Sequence, residues 1–354
     1  MKKLLLWIVI ITAVFSVGCR KSVSIKQDRA LSNEEVSMAE VSLISDYYPF
    51  KENIVMDYEG IGNEYAERKT FVEFVENNRA QMKIMNPGTV FVKVLEYKNG
   101  VLTEIFSEGE FYHIENMINS NSNKSSIILK EPLDLGNSWT TEEGYTREIT
   151  GKEAKIETPS GIYDALEVTT DFANGAIQMD YYAKGIGHVA TIYKDDVNEI
   201  KTLLQNIDDQ PQEIKIETYY PTFKDIGTAL VNQSIEFNTN DNIEYILETL
   251  LKNPPSDKLI PPISKDTRIN KIDLNRNSWT LEVDFSEEFL TDMNAGSALE
   301  VEILKSIVNT LGRFYDVEKV YITVEDMPYE SGHFSINPSE YFTVDITNIE
   351  EFSE

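Results

Sequence analysis

Ser278-Trp279-Thr280-Leu281-Glu282-Val283-Asp284-Phe285 sets Trp279, Leu281, Val283 and Phe285 on one side and Thr280, Glu282 and Asp284 on the other. That alternation predicts a strand with one buried face. On its N-terminal side, Thr267 to Leu274 predicts the partner strand, with Asn275-Arg276-Asn277 as the hairpin turn. Further back, Ile214–Tyr220 and Leu230–Phe237 predict two more strands. A helix follows them. Asp241 and Glu244 have the spacing of a capping box, Ile243, Ile246, Leu247, Leu250 and Leu251 share one helical face, and Asn253-Pro254-Pro255 ends the run. On the C-terminal side Ser297 and Glu300 repeat the capping pattern. Leu304, Ile307, Val308 and Leu311 line a core face, and Gly312 is placed to end that helix. Val317–Val324 predicts the last strand. The order β-β-α-β-β-α-β over residues 213–327 predicts an α/β sandwich with helices on one face of a mixed sheet.

Five phrases in this region occur in the order and spacing of a known family. They are Leu250-Leu251-Lys252-Asn253-Pro254, Leu259-Ile260-Pro261-Pro262, Val283-Asp284-Phe285-Ser286, Val308-Asn309-Thr310-Leu311 and Val317-Glu318-Lys319-Val320. Residues 213–327 thereby resemble the GerMN domain of sporulation and spore germination proteins. The chain departs from the family at Asn253, where glycine is usual, and at Val324-Glu325-Asp326, which lacks the closing glycine. Both positions are turns. The resemblance implies a noncatalytic module, related to the ring-building modules of envelope-spanning secretion systems, that contacts another envelope protein. The phrases themselves are helix core, breaker and buried strand, so they identify a fold rather than a site.

Residues 46–194 carry a different pattern, one of short β-prone runs punctuated by glycine. Val90–Tyr97 and Val101–Phe106 flank Asn99-Gly100, and Ala165–Phe172 and Ala176–Ala183 flank Asn174-Gly175. Such pairs predict hairpins, since the favoured tight turns need positive φ. An antiparallel β-rich domain is expected. Three aromatic phrases stand out: Tyr47-Tyr48-Pro49-Phe50 leading to Tyr58, Pro132–Trp139 leading to Tyr145, and Tyr181-Tyr182-Ala183-Lys184-Gly185-Ile186-Gly187-His188-Val189. They are similar to phrases in curved-sheet domains of bacterial lipoproteins, some of which hold a lipid in the hollow. From the residues alone they read as strand packing. Two roles stay open for this domain: a spacer, or a binder of a lipid or other small ligand. Residues 195–212 are polar, with Asp195-Asp196, Asp208-Asp209 and Pro211, and read as a linker between two separately folding units.

At the N-terminus, Lys2-Lys3 precede the apolar run Leu4–Val17, then Gly18-Cys19. The run is short for a bilayer span and has the order of a secretory leader. Ser16-Val17-Gly18-Cys19 resembles a bacterial lipobox. That implies cleavage after residue 18 and diacylation of Cys19, the single cysteine of the chain. Acyl burial contributes about 0.8 kcal/mol per CH₂, so two chains anchor firmly. Residues 19–45 then read as a tether, with a short helix near Asn33–Ile44, that stands the body off the outer face of the membrane. A lone cysteine leaves no internal disulfide, and the fold must rest on packing.

The net charge is −28, and removal of Lys2 and Lys3 would make it more acidic. Such a chain repels nucleic acid, so none is expected as a partner. No D-x-D-x-D-G loop, zinc spacing, G-x-S-x-G elbow, S-x-x-K pair or phosphate loop occurs. The three histidines, His113, His188 and His333, stand far apart and read as surface or packing residues. No catalytic, cofactor or metal site is nominated. Residues 328–354 are acidic and aromatic, either an edge strand of the second domain or a mobile tail. Together these readings describe a membrane-tethered, noncatalytic assembly lipoprotein whose partner binds residues 213–327. The rival is a surface lipoprotein that binds a lipid or small ligand through its β-rich domain. Metabolic labelling with an alkyne fatty acid is expected to mark the wild type and not Cys19→Ser, and equal labelling would remove the anchor.

Overall fold

The computed structural model describes residues 43–223 and 227–353. Cys19, the leader and nearly all of the tether lie outside the described residues. The described chain begins with α1 (Ile44–Tyr47), whose Ile44 is already buried in the core of the β-rich part.

Twelve strands follow: β1 (Ile54–Ile61), β2 (Arg68–Glu76), β3 (Arg79–Met85), β4 (Val90–Lys98), β5 (Val101–Gly109), β6 (Ser126–Lys130), β7 (Ser138–Thr140), β8 (Thr146–Thr158), β9 (Gly161–Asp171), β10 (Ile177–Ala183), β11 (Gly187–Lys194) and β12 (Glu199–Asp209). They form one antiparallel sheet in the order β6-β5-β4-β3-β2-β1-β12-β11-β10-β9-β8-β7. Consecutive strands pair with each other, except that β1 pairs with β12 and that β6 and β7 stand at the two ends of the order. Asn99 and Gly100 both take positive φ, 53° and 72°, at the tight turn between β4 and β5, as the Asn-Gly reading requires. Register shifts leave extra residues in β12, β5, β8 and β11 and mark bulges, and bulges increase local twist. The sheet curls until its end strands approach. The Ile127 carbonyl on β6 accepts from Trp139 Nε1 at 3.2 Å and from Arg147 Nη1 at 2.6 Å.

The segment expected as a linker is mostly β12, and Gln212 begins the next strand. Two features of a strand had looked like a solvated break. Asp195 accepts from the Val197 and Asn198 amides and makes the turn before β12. Gln205, Asn206 and Asp209 are exposed, while Leu203 and Leu204 are buried.

The second part contains β13 (Gln212–Pro221), β14 (Thr228–Phe237), α2 (Ile243–Lys252), β15 (Ile269–Asn275), β16 (Thr280–Phe285), α3 (Glu288–Thr291), α4 (Ser297–Phe314) and β17 (Lys319–Val324). The C-terminal segment adds β18 (Met327–Pro328), β19 (Phe342–Thr343) and β20 (Glu350–Glu351). The expected single mixed sheet is two sheets, each mixed. β14 pairs antiparallel with β13 and parallel with β20. β16 pairs antiparallel with β15 and parallel with β17, and β17 also pairs with β18 and β19. Of the two readings of residues 328–354, the edge strand holds.

Local details differ from the sequence reading in instructive ways. The cap of α2 is Asn242, which accepts from the Tyr245 amide at 2.6 Å; Asp241 accepts instead from Asn238. The cap of α4 is Gly296, without a side-chain bond. Glu300 is buried and accepts from Tyr329, Ser331 and His333, so it holds the C-terminal segment rather than the helix start. Gly312 lies inside α4, where a Cβ would stand 2.3 Å from Val344 Cγ2. It is there for the close approach of that same segment. Trp279 sits at φ 52° with 45 % exposure and drops out of the buried face that Leu281, Val283 and Phe285 keep.

The two parts share one apolar core. Val55, Phe71, Phe74, Ile114 and Ile118 of the first pack with Ile216, Ile235 and Phe237 of the second. The Phe74 and Phe237 rings stand edge to face at 5.7 Å. Asn53 and Thr239 exchange hydrogen bonds of 2.9 and 2.8 Å across the joint. Removing a buried Phe side chain costs about 3–5 kcal/mol. Phe237→Ala is therefore expected to destabilise the whole chain by that amount in one transition. In the chain from residue 19 onward, which lacks Trp7, Trp139→Phe and Trp279→Phe each leave one tryptophan as reporter and should show equal fluorescence midpoints. Separate midpoints would contradict a shared core.

Candidate functional site

The curl of the sheet leaves a hollow of about 340 Å³ on its concave face. The antiparallel register sets its wall. Tyr58 lies opposite Arg68, Met82 opposite Lys93, Leu95 opposite Glu104, and Asp180 opposite Thr191. Every one of these side chains lines the hollow. Leu95 and Tyr182 belong to the apolar cluster that forms its floor.

One polar chain runs along the wall. Arg68 lies over the Tyr58 ring, with its guanidinium carbon 4.4 Å from the centroid, and donates through Nη2 to His188 Nδ1 at 2.9 Å. A guanidinium can only donate, so Nδ1 accepts and the imidazole proton sits on Nε2. That nitrogen lies 2.9 Å from Thr191 Oγ1, which donates to Asp180 Oδ1 at 2.6 Å. Gln178 donates to the other Asp180 oxygen at 2.8 Å. The Tyr58 hydroxyl donates to the His188 carbonyl at 2.9 Å and holds the backbone of the same residue. Glu104 stands between Lys93 at 2.8 Å and Lys124 at 3.1 Å.

The electrostatics follow from burial and these bonds. Burial lowers the His188 pKa, and the charge of Arg68 adds to this against the hydrogen bond to Asp180, so the imidazole is held neutral. Burial on its own would raise Asp180, but bonds from His188, Thr191 and Gln178 outweigh it and hold the carboxyl down at about 2. Burial also lifts Tyr48, Tyr58 and Tyr182 above the ordinary phenol value, so their hydroxyls keep their protons.

The hollow joins residues that the sequence had separated. Tyr48, Tyr58, Tyr182 and His188 come from two of the three aromatic phrases and meet here. Tyr145 of the remaining phrase packs instead against Phe172 at 4.9 Å. Arg68, Arg147 and Asp180 carry no local motif and were missed. The available signal was an inward position on a strand, since Arg68 and Thr70 share one face by the period of two. The other histidines sit elsewhere. His113 lies between Phe111 and Tyr315 at 4.2 and 5.1 Å, and His333 bonds Glu300 at 2.6 Å. Among the described residues no cluster of three or more His, Cys, Asp or Glu could hold a metal. Among them, too, no helix is long and apolar enough to cross a membrane.

A second polar constellation binds the two parts together. Residues 110–118, between β5 and β6, lie as a strap against the convex face. Lys83, only 3 % exposed at its side chain, pairs with Glu73 at 2.7 Å and donates to the His113 carbonyl at 2.6 Å. Arg276, from the β15–β16 turn, reaches across to Glu115 with bonds of 3.0 and 2.9 Å and to Glu108 at 3.1 Å. Burial works against the Glu115 charge, but His113 and Arg276 outweigh it and hold the carboxyl below its ordinary range.

The family model for Germane, described as sporulation and spore germination, matches residues 211–330. No curated protein matches the chain. Among solved structures, the tandem GerMN domains of the sporulation protein GerM from Bacillus subtilis are 21 % identical, with 38 % of this chain and 46 % of that one covered and a TM-score of 0.30. A Clostridium perfringens protein described as a lipoprotein is 22 % identical over 37 % of this chain and 87 % of its own, with a TM-score of 0.25. An exported protein with a YmcC-like fold from Bacteroides fragilis is 10 % identical over 46 % and 98 %, with a TM-score of 0.31. At these scores the structural likenesses add no functional argument. The chain carries a GerMN-type domain, as the phrases in its sequence imply.

His188 gives a pH test. Its folded pKa lies below the unfolded value of ~6.5, so the native state binds fewer protons than the unfolded chain just below that pH. The stability is present above ~6.5 and is lost as pH falls toward the depressed folded value. The melting temperature of the wild type should therefore drop more steeply through this window than that of His188→Gln. Equal slopes would show that the imidazole is not held neutral.

Proposed function

We propose that this chain is a protein lipid-anchored at the outer, extracytoplasmic face of the cell membrane that works without catalysis. Its GerMN-type domain contacts another envelope protein during sporulation or germination, and its β-rich part carries and orients that domain. The observation that carries this reading is the Germane match at 211–330 in a domain fused to the curled sheet through a shared core. The shared core and the Arg276 bonds to Glu108 and Glu115 fix the angle at which the domain is presented. This supports a presenting body in place of a flexible spacer.

The second domain offers surfaces for such a contact. Among the described residues β15 pairs with a strand on one side only, and it carries exposed Lys271 and Asp273, which guard a strand edge against unspecific pairing. Tyr245, on the outer face of α2, is 67 % exposed.

Photo-crosslinkers at Lys271 and at Tyr245 in the native cell, together with counts of heat-resistant spores after gene deletion, test the reading. It expects a reproducible envelope protein crosslinked from the second domain and a fall in spore formation or germination. Normal sporulation and germination with no crosslinked envelope protein would defeat it.

A further inference from the structure

The contact proposed above is placed on the second domain, and the hollow of the first part is open rather than filled as a structural core would be. Arg68 and Arg147 both line it. Among the described residues neither guanidinium pairs with a carboxylate. Arg68 has His188 and the Tyr58 ring as partners, and Arg147 donates to Thr170 Oγ1 and the Ile127 carbonyl. All of these partners are neutral. The Nε of Arg68 is buried and has no hydrogen-bond partner.

The carboxylates on the same wall are committed elsewhere. Glu104 lies between two lysines, and Asp180 is bonded by Gln178 and Thr191. Acid abounds in a chain of net charge −28, yet among the described residues no carboxylate forms an ion pair with either arginine, and Glu143 meets the charge of Arg147 only without a bond. A cation with a desolvated, unused N–H is costly unless an anion completes it. A guanidinium presents its donors in a planar fork that suits two oxygens of a carboxylate or phosphate. The neutral partners fix Arg68 in place beforehand, and a fixed donor loses less entropy when a ligand arrives.

The walls also argue against a lipid. Fatty chains laid here would bury Arg68, Lys93, Glu104, Arg147 and Asp180 against hydrocarbon, and a charge without hydration or partner is strongly disfavoured there. The volume, about 340 Å³, lies at the small end of ligand sites.

We propose that the hollow binds a small organic oxyanion, a carboxylate or a phosphate ester, whose charged end is met by Arg68 and Arg147 and whose body rests on Leu95 and Tyr182. This goes beyond the assembly role and stands or falls separately from it.

The test is calorimetric titration of the full chain in a non-ionic detergent with benzoate, phenyl phosphate and neutral benzamide. At least one of the two anions should saturate at millimolar concentration or below, and benzamide should bind at least about tenfold more weakly. Benzoate without phenyl phosphate assigns a carboxylate ligand, and the reverse assigns a phosphate ester. Arg68→Gln and Arg147→Gln should each weaken the binding anion at least about tenfold, while Lys215→Ala, outside the hollow, should not. A wild-type measurement guards against variants that fail to fold. The binding anion should protect Arg68 and Arg147 from phenylglyoxal, read by peptide mass, and leave exposed Arg313 reactive. Equal binding of anions and benzamide, no saturation by either anion, or protection that spares both Arg68 and Arg147 would overturn the site. A diacyl lipid recovered by native mass spectrometry from the wild type and still present in the double arginine variant would overturn the ligand class.

Discussion

The antiparallel pairing of β1 with β12 holds the rest of the structure in place. Its register runs from Ile54 opposite Asp209 to Ile61 opposite Lys201. The six strands on either side are simple meanders whose contacts are local. Among the described residues the β1–β12 ladder is the one strand pairing between the halves, and it must close across nearly the whole length of the domain. It brings Tyr58 beside Arg68 through β2 and near His188 through β12 and β11, so the hollow exists only once this ladder has formed. The same pairing ends with the Gln210 amide donating to the Asn53 carbonyl at 2.9 Å. The chain therefore enters the second domain beside Asn53, which then bonds Thr239. Hollow and joint are both consequences of one long-range ladder.

Much of the second domain could be read from its sequence because its information is local. Alternation in Leu281, Val283 and Phe285, the apolar face of α4 and the Pro-Pro stop after α2 each act within a few residues. The caps moved by a residue because neighbouring polar side chains, Asp241 and Asn242, compete for the same amides, and geometry chooses between them. Glu300 and Gly312 were misread for a different reason. Both answer to the C-terminal segment, which returns from far along the chain, so local rules assign them to the helix that carries them. The linker reading failed because composition does not separate the exposed face of a strand from a solvated break.

The hollow was less accessible still. Its aromatics stood out as phrases, but its chemistry comes from single residues spread over most strands of the sheet, and no spacing rule connects Arg68 with Arg147 or His188 with Asp180. What could be read was the period of two. On β3, Met82 and Ile84 face the hollow, while Gln81 and Lys83 face outward to the strap, where Gln81 donates to Glu73 and Lys83 pairs with it. Alternation predicts that these residues divide between two faces. It does not say that both faces will be buried and polar.

That division places the two surfaces of the molecule back to back. β2 carries Arg68 and Thr70 toward the hollow, and Phe71 and Phe74 toward the core shared with the second domain. The bulge between Val72 and Phe74 turns Glu73 under the strap, where its charge is matched by Lys83. Losing one partner of a buried pair costs about 3–5 kcal/mol, because the other charge is left uncompensated. β2 is therefore pinned from its outer face by packing and by an ion pair that cannot be broken cheaply. Adjacency of this kind is not in itself a coupling between sites. Its firm consequence is rigidity. The Arg68 guanidinium is aimed by a strand that the second domain holds still, so the donors of the hollow are set before any ligand enters.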